Sequence, residues 1–388
     1  MINLLYYVNS QFGIGHFQRS SCILERLETL YPSINITMLY GGLQCTLFEK
    51  LKRSKLIKLP GLIFNGNKDT ISHTPRPLNI SHTVDHILDK RLGVIKKVLH
   101  GSHFDILVLE YFPFSKQFLR KEIEYIISFL KTSYRKNPII VVSVRDFVTI
   151  DGGFDRKVAH AFLNEYCDHI MVHSDPRYAR LEDSYGDISP FAKKLYYTGF
   201  VVDPTLPQPQ QIRQNLLTVS VGGSGKDGKH LLSLFCEALE KLNPDERSKL
   251  DIKIFLGLFC HHHTKMHIIN RIKNIYRVRT EFMPFERYRS TMLETQNSIS
   301  MCGYNTAYEL AASRINNIIF VPRNRTEQLM RANMLENVGI ASISSNASDL
   351  AKKISRINHT TKQITRKMPS LDFNGAYESA KFLSRLLK

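Results

Sequence analysis

The sequence predicts an α/β protein made of two halves, each a parallel sheet covered by helices. Three observations lead there. Short continuous runs of Val, Ile and Leu, the pattern of strands buried on both faces, alternate with helical stretches along the chain. The alternation breaks at residues 203–211, where Asp, Pro, Thr and Gln displace apolar residues and read as a linker. The 388 residues then divide into two segments of ordinary domain size. The expected organisation is a first domain over residues 1–202, a linker over 203–214 and a second domain over 215–374. A last helix over 375–388 has an apolar stripe that can pack on either half, including back on the first.

In the first half, strands are expected at residues 4–8, 36–40, 106–109, 139–144 and 170–172, with helices among them at 17–30 and 115–132. In the second, strands are expected at 216–221, 252–256, 298–301 and 318–321, with helices at 229–241 and 307–313.

Composition narrows the class. Hydrophobic residues at 43% and charged residues at 23% are ordinary for a globular protein. No apolar run reaches the about eighteen residues of a membrane-spanning helix. The sequence opens directly on a strand-like run with no signal-peptide pattern, and its six cysteines include no C-x-x-C pair. Reduced thiols and a cytoplasmic location are therefore expected. Charge is the unusual property: 53 Lys and Arg against 35 Asp and Glu give +18. The excess recurs in separate patches at 50–58, 90–97, 116–136, 271–289 and 352–367. It suits a nucleic acid, an anionic membrane or a phosphate-bearing substrate, and equally a surface that is merely soluble.

In open α/β sheets, ligands bind beyond the carboxyl ends of the strands, so the residues there are the candidates. After the strand at 216–221 come Gly222, Gly223, Ser224 and Gly225, then Gly228 and Lys229 before a helix. Backbone N–H groups in such a turn approach a phosphate closely. The spacing also starts a P-loop, but His230 stands where the Mg²⁺-binding Ser or Thr belongs. After the strand at 298–301, Asn305, Thr306 and Glu309 open another helix. Thr306 and Glu309 can be a capping box, or Glu309 can accept from a ribose diol. The strand at 318–321 then leads through Val321, Pro322 and Arg323 to Glu327, Gln328, Arg331 and Ala332.

With Gly-Tyr-Asn-Thr at 303–306, Val-Pro-Arg at 321–323 and the Glu-Gln to Arg-Ala run at 327–332, the sequence resembles GT-B glycosyltransferases. It is similar to a set of bacterial proteins predicted to be glycosyltransferases. It also resembles the bacterial enzymes that add N-acetylglucosamine to the lipid-linked peptidoglycan precursor. The resemblance covers nearly the whole chain. It implies two Rossmann-like domains whose parallel sheets face each other across a cleft, and transfer of a sugar from a nucleoside-diphosphate sugar, a UDP-sugar first, to a hydroxyl. By the same resemblance Phe282 and Met283 would flank the base. Asn305, Thr306 and the loop of Gly222, Gly223, Ser224 and Gly225 would meet the diphosphate, Glu309 the ribose, and Glu327 and Gln328 the donor sugar. Neither a cofactor nor a metal is implied, and inversion at the anomeric carbon is expected by analogy alone. The three consecutive histidines at 261–263 read as a phosphate contact or an exposed loop rather than a metal site, since loop neighbours rarely share one coordination sphere.

In the first half, Gly13, Gly15, His16 and Arg19 follow the first strand and resemble the same family's N-terminal signature; the third glycine of a dinucleotide fingerprint is missing. His16, whose ordinary pKa suits proton abstraction near neutrality, is the first candidate base, with Gly15 beside the donor and a helix-capping role as the alternative. Glu110 and Asp146, each at a strand end, are rival bases, although the resembling proteins lead one to expect Asp at position 110. Arg19 and Arg145 would hold the acceptor. That acceptor can be lipid-linked, a nucleic acid or a small molecule. The basic and apolar stretch at 47–58 can rest on an anionic membrane, or be an ordinary surface helix. A nucleotide-sugar hydrolase or epimerase on the same fold and a nucleic-acid-directed transferase remain the alternative activities.

Overall fold

The structure is a computed structural model that describes residues 2–10, 14–42, 51–64, 75–77, 84–134, 136–150, 154–203, 212–222, 228–257, 260, 262–275, 278–283, 287–313, 315–323, 326–359 and 370–386. The chain forms two compact units: Met1–Pro204 with Asp372–Lys388, and Thr205–Leu371.

The N-terminal unit runs β1 (Ile2–Ser10), α1 (Gly15–Leu30), β2 (Ile34–Gly42), β3 (Lys55–Leu59), β4 (Leu62–Phe64), β5 (Pro75–Pro77), α2 (Val84–His100), β6 (Ile106–Glu110), α3 (Arg120–Ser133), β7 (Ile139–Arg145), α4 (Arg156–Glu165), β8 (His169–His173), α5 (Glu182–Tyr185) and β9 (Leu195–Tyr197). Seven strands form one parallel sheet in the order β3-β2-β1-β6-β7-β8-β9, and β4 and β5 pair antiparallel beside it. Central strands are buried along their length because helices cover both faces, which is why they read as unbroken apolar runs. On one face, Leu5, Tyr7, Leu107 and Leu109 pack with Ile95 and Leu99 of α2 and Ile123, Ile126 and Ile127 of α3.

The C-terminal unit runs β10 (Arg213–Ser220), α6 (Lys229–Lys241), α7 (Pro244–Ser248), β11 (Asp251–Phe255), α8 (His262–Lys273), β12 (Arg279–Met283), α9 (Tyr288–Met292), β13 (Thr295–Ser300), α10 (Tyr304–Ala312), β14 (Asn317–Phe320), α11 (Thr326–Asn337), β15 (Ser342–Ile343) and α12 (Ala347–His359). Its six-stranded parallel sheet is ordered β12-β11-β10-β13-β14-β15. Leu217, Val219, Ile252, Ile254 and Ile299 meet Leu231, Phe235, Leu239, Ile268, Leu350 and Ile354 in its core.

The chain then returns to the first unit as α13 (Gly375–Arg385), which packs along α1. Two glycines allow the return. Gly199 has φ +84°, and a Cβ there would meet Asp372 at 2.8 Å; a Cβ on Gly375 would meet the Gly199 carbonyl at 2.5 Å. The Phe200 N–H donates to the Asp372 carbonyl at 2.7 Å, and Val201 bridges Asn374. Asp175 accepts from the Asp372 N–H at 3.1 Å. The segments at 173–176 and 197–200 thus seat the returning chain.

Two local expectations are corrected. In the stretch at 47–58, residues 47–50 lie outside the described residues, and residues 51–58 form no helix: Lys55–Leu59 pairs with β2 as the edge strand β3. Its lysines sit on a sheet edge, where charge discourages further strand pairing. The helix expected from residue 115 starts only at Arg120, because Lys116 has φ +62° and a 3₁₀ turn, Gln117–Leu119, intervenes. Among the described residues no helix is long and apolar enough to cross a membrane.

Candidate active site

In each unit the strand order reverses once, between β1 and β6 in the first and between β10 and β13 in the second. At such a reversal the two flanking connections leave toward opposite faces and open a crevice at the carboxyl ends of the strands. Some of the residues singled out from sequence lie at these two places.

In the N-terminal unit, α1 starts at Gly15 after β1, with Gly15 exposed, and its second residue is His16. Glu110 is the last residue of β6 and pairs in register with Ser143 of β7. The Nδ1 atom of His16 lies 3.0 Å from Oε1 of Glu110. Arg19, one turn along α1, is 2% exposed and its Nη2 pairs with the same oxygen. Arg19, placed with the acceptor by the sequence, therefore faces inward onto Glu110. The Ser143 hydroxyl donates to Oε2 at 2.6 Å, and its oxygen lies 2.9 Å from Nε2 of His173 at the end of β8. Nδ1 of His173 is 2.9 Å from the Thr198 hydroxyl and 3.4 Å from that of Ser379 on α13. A single buried chain thus runs from α1 across three strand ends to the returning helix.

Proton positions follow from the acceptors. An ionised carboxylate only accepts, so Ser143 donates to Glu110 and His173 donates from Nε2 to Ser143. His16 likewise donates from Nδ1, so Nε2 carries its lone pair. Burial would raise the Glu110 carboxyl, but the charge of Arg19 and the hydrogen bonds from His16 and Ser143 outweigh it and hold the group well below the usual carboxylate range. Burial, then the charge of Lys116, pushes His16 down to about 3 against the pull of Glu110. Burial and Arg19 push His173 down to about 3. Both imidazoles are therefore neutral near pH 7. Of the three acid–base candidates only His16 keeps its side chain partly open, at 23%; Glu110 and Asp146 are buried at 1% and 0%.

Around this pair the ring of Tyr111 lies 5.2 Å from the His16 ring, with Arg145 half-buried over its face. Lys116, Ser143 and Ser379 carry no motif; His173 begins a stretch, 173–176, that resembles the same family, but sequence reasoning gave none of the four a place here. Only the strand register and the return of α13 bring them in.

In the C-terminal unit, Gly222 follows β10 with φ +76°. Gly223, Ser224 and Gly225 lie outside the described residues. Gly228 caps α6, where a Cβ would sit 2.6 Å from Val221, so the turn closes only on glycine. After β13, Cys302 takes φ +60° and Gly303 is the N-cap of α10, with no side-chain cap. Thr306 is the third residue of that helix, so Thr306 and Glu309 do not form a capping box. Glu309 is instead 3% exposed and paired with Nη2 of Arg289 on α9. Asn305 and Thr306 are half-buried in the first turn. Arg331 of α11 is fully buried and donates to the Cys302 carbonyl at 2.8 Å with its guanidinium 5.6 Å from the Tyr304 ring centre, which fixes the left-handed turn from below.

The other donor candidates are more dispersed. Glu327 is buried, and Oε1 of Gln328 accepts from the Arg323 N–H at 3.3 Å. Phe282, on the edge strand β12, packs partly buried against the unit's core, and Met283 is 8% exposed. Among the described residues no cluster of His, Cys, Asp and Glu could hold a metal ion; His262 and His263 lie in the first turn of α8, and residue 261 is outside the described residues.

No family model matches the sequence, and no curated protein does. Solved structures match over the whole chain. A UDP-GlcNAc 2-epimerase from Methanocaldococcus jannaschii has a TM-score of 0.62 at 12% identity, over 100% of this chain and 99% of that one. A UGT transferase from Siraitia grosvenorii, solved in complex with UDP, has 0.58 at 14% identity, over 100% of both. MurG from Acinetobacter baumannii has 0.55 at 12% identity, over 98% and 95%. This is the GT-B fold. Identity at that level carries the GT-B architecture and leaves the activity to the chemistry of the site.

Proposed function

We propose that the chain is a glycosyltransferase that moves a sugar from a nucleoside-diphosphate sugar, first among them a UDP-sugar, to an acceptor hydroxyl. The observation that carries this reading is the His16–Glu110 pair at the strand reversal of a GT-B sheet, with Nε2 of His16 bearing the lone pair. Nε2 takes the proton of the acceptor hydroxyl as its oxygen bonds to the anomeric carbon. The bond from that carbon to the diphosphate breaks, and the nucleoside diphosphate leaves with the electron pair, inverting the centre. Donor recognition falls to the C-terminal unit, where Glu309 accepts from the ribose and the backbone N–H groups opening α10 face the phosphates. Basic groups and helix starts suffice to stabilise the leaving group, so the reading asks for no metal.

The enzyme is placed in the cytoplasm, and its acceptor among lipid-linked, nucleic-acid and small-molecule hydroxyls, with contact to an anionic membrane in the lipid-linked case. The test is thermal stabilisation by a panel of nucleotide sugars, followed by donor turnover with each acceptor class and with none. Turnover that needs an acceptor supports transfer. Free sugar or an isomerised donor without any acceptor indicates a hydrolase or epimerase. Stabilisation by no nucleoside diphosphate or its sugar refutes the reading.

A further inference from the structure

The carboxylate that orients His16 sits on a flexible stem. The last side-chain torsion of a glutamate is broad, so a carboxylate gripped at one oxygen alone can still pivot. The backbone beneath Glu110 is held: Tyr111 leaves the strand with φ +69°, and its N–H donates to the Ser143 carbonyl at 2.8 Å. His16 and Arg19 both engage Oε1. Oε2 is held by the Ser143 hydroxyl at 2.6 Å, and behind Ser143 stands His173.

Strand register puts these groups on one face of the sheet. Glu110 lies opposite Ser143, and His173 is two residues beyond the Met171 that pairs with Ser143. The protons of the chain all point one way. Thr198 donates to Nδ1 of His173 at 2.9 Å, and Nε2–H of His173 donates to the Ser143 oxygen at 2.9 Å. That oxygen also accepts from the Tyr6 hydroxyl at 3.3 Å, and Ser143 passes its own proton to Oε2. Ser379 of α13 lies 3.4 Å from Nδ1 but gives its proton to the Gly375 carbonyl at 2.6 Å, so toward His173 it is a cover rather than a donor. His173 and Ser379 are both fully buried. Hydrogen bonds aligned head to tail away from water reinforce one another, so the bond on Oε2 depends on those behind it.

We infer that His173 is a positioning residue for His16: seated by Thr198 and covered by Ser379 of α13, it fixes the Glu110 carboxylate through Ser143 and so keeps the lone pair of His16 on Nε2. The inference rests on the transferase reading only for the use made of that lone pair. It makes the returning helix a working part of the N-terminal site.

The experiment reads the His16 ring directly, by nitrogen NMR of the full chain labelled in histidine near pH 7.5, with steady-state kinetics on the same preparations. In wild type the proton is expected on Nδ1 of His16 and on Nε2 of His173. His173→Leu has nothing to donate to Ser143; its His16 signals move toward a mixture of tautomers, and kcat falls about 10–100-fold with KM and UDP affinity within about twofold. His173→Gln places an amide N–H where Nε2 stood and restores both the tautomer and most of kcat. Thr198→Val mixes the His173 tautomers and lowers kcat, and Thr198→Ser reverses both, a comparison that decides the matter if His173→Leu does not fold. Gly375→Ala crowds the Gly199 carbonyl at the start of α13, and faster exchange of α13 amides is expected to bring a shift of the His16 signals with it. A folded His173→Leu with wild-type His16 signals and kcat overturns the inference. So does a His173→Gln no better than His173→Leu, or a loosened α13 that leaves His16 unmoved. A His16 tautomer that follows His173 while no nucleotide sugar is turned over leaves the positioning standing and sinks the transferase reading.

Discussion

Nδ1 of His16 and Oε1 of Glu110 are 3.0 Å apart, and the same carboxylate oxygen also receives Arg19. A carboxylate shared in this way orients the imidazole without giving it the full benefit of its charge. The pair sets which nitrogen is basic more than how basic it is, and the strength is left to whatever balances the neighbouring cations.

His16→Ala should lower kcat by about 10²–10⁴-fold, the range for loss of a general base, while leaving the affinity for a nucleoside diphosphate within about twofold. Steady-state kinetics and calorimetry on one preparation separate the two. Unimpaired turnover in this variant would move the base to Glu110 or Asp146.

Ser143→Ala removes the hydrogen bond to Oε2 of Glu110 and leaves His173 without its acceptor. A cost of about 1–3 kcal/mol in unfolding free energy is expected from the unsatisfied buried groups. If Ser143 positions the pair, kcat falls with KM unchanged and the pH profile shifts. A variant that loses stability alone shows Ser143 to be only structural.

Acid should destabilise the N-terminal unit well before its carboxylates titrate. His173 is fully buried and held neutral down to about 3, whereas in the unfolded chain it protonates near its ordinary value. The unfolded state then binds more protons between those limits, so stability is fully present above about pH 6.5 and falls as pH drops, by about 2 kcal/mol at pH 5. His16 shifts in the same direction. Urea unfolding near pH 7.5 and pH 5 measures the slope, and His173→Gln should flatten it; an unaltered slope would contradict a buried neutral His173.

Glu309→Ala should weaken binding of nucleoside diphosphates and of their sugars by roughly tenfold or more if the carboxylate holds the ribose. The same change leaves Arg289 without its partner, so affinity must be compared with Arg289→Met, which breaks the ion pair but keeps the acceptor. Equal loss in the two variants would assign Glu309 to the pair rather than to the ligand.

Much of this was legible in the sequence because the relevant signals are local. Buried parallel strands announce themselves as apolar runs, so the central strands β1, β2, β6, β7, β10, β11, β13 and β14 are readable, and the candidate residues at their carboxyl ends follow. The edge strands β3, β12 and β15 are half-exposed and lose the run; Lys55, Ile57 and Lys58 read as a surface helix instead. Thr306 and Glu309 have the spacing of a capping box, and only the position of the helix start, with Gly303 as N-cap and Thr306 already inside the first turn, excludes it. The buried chain from Glu110 through Ser143 to His173 joins residues 30 or more positions apart by register alone, and no spacing rule reaches that far. The left-handed backbone of Tyr111 and Lys116 is a property of the folded loop and leaves no mark on composition.

The return of residues 372–388 to the first unit has a consequence for biosynthesis. A segment that follows the second unit in the chain completes the first, with α13 lying on α1 and Ser379 beside His173. A nascent chain must hold that unit open, with the apolar face of α1 uncovered, while the whole second unit leaves the ribosome. A stop codon anywhere in the second unit therefore also strips α13 from the first.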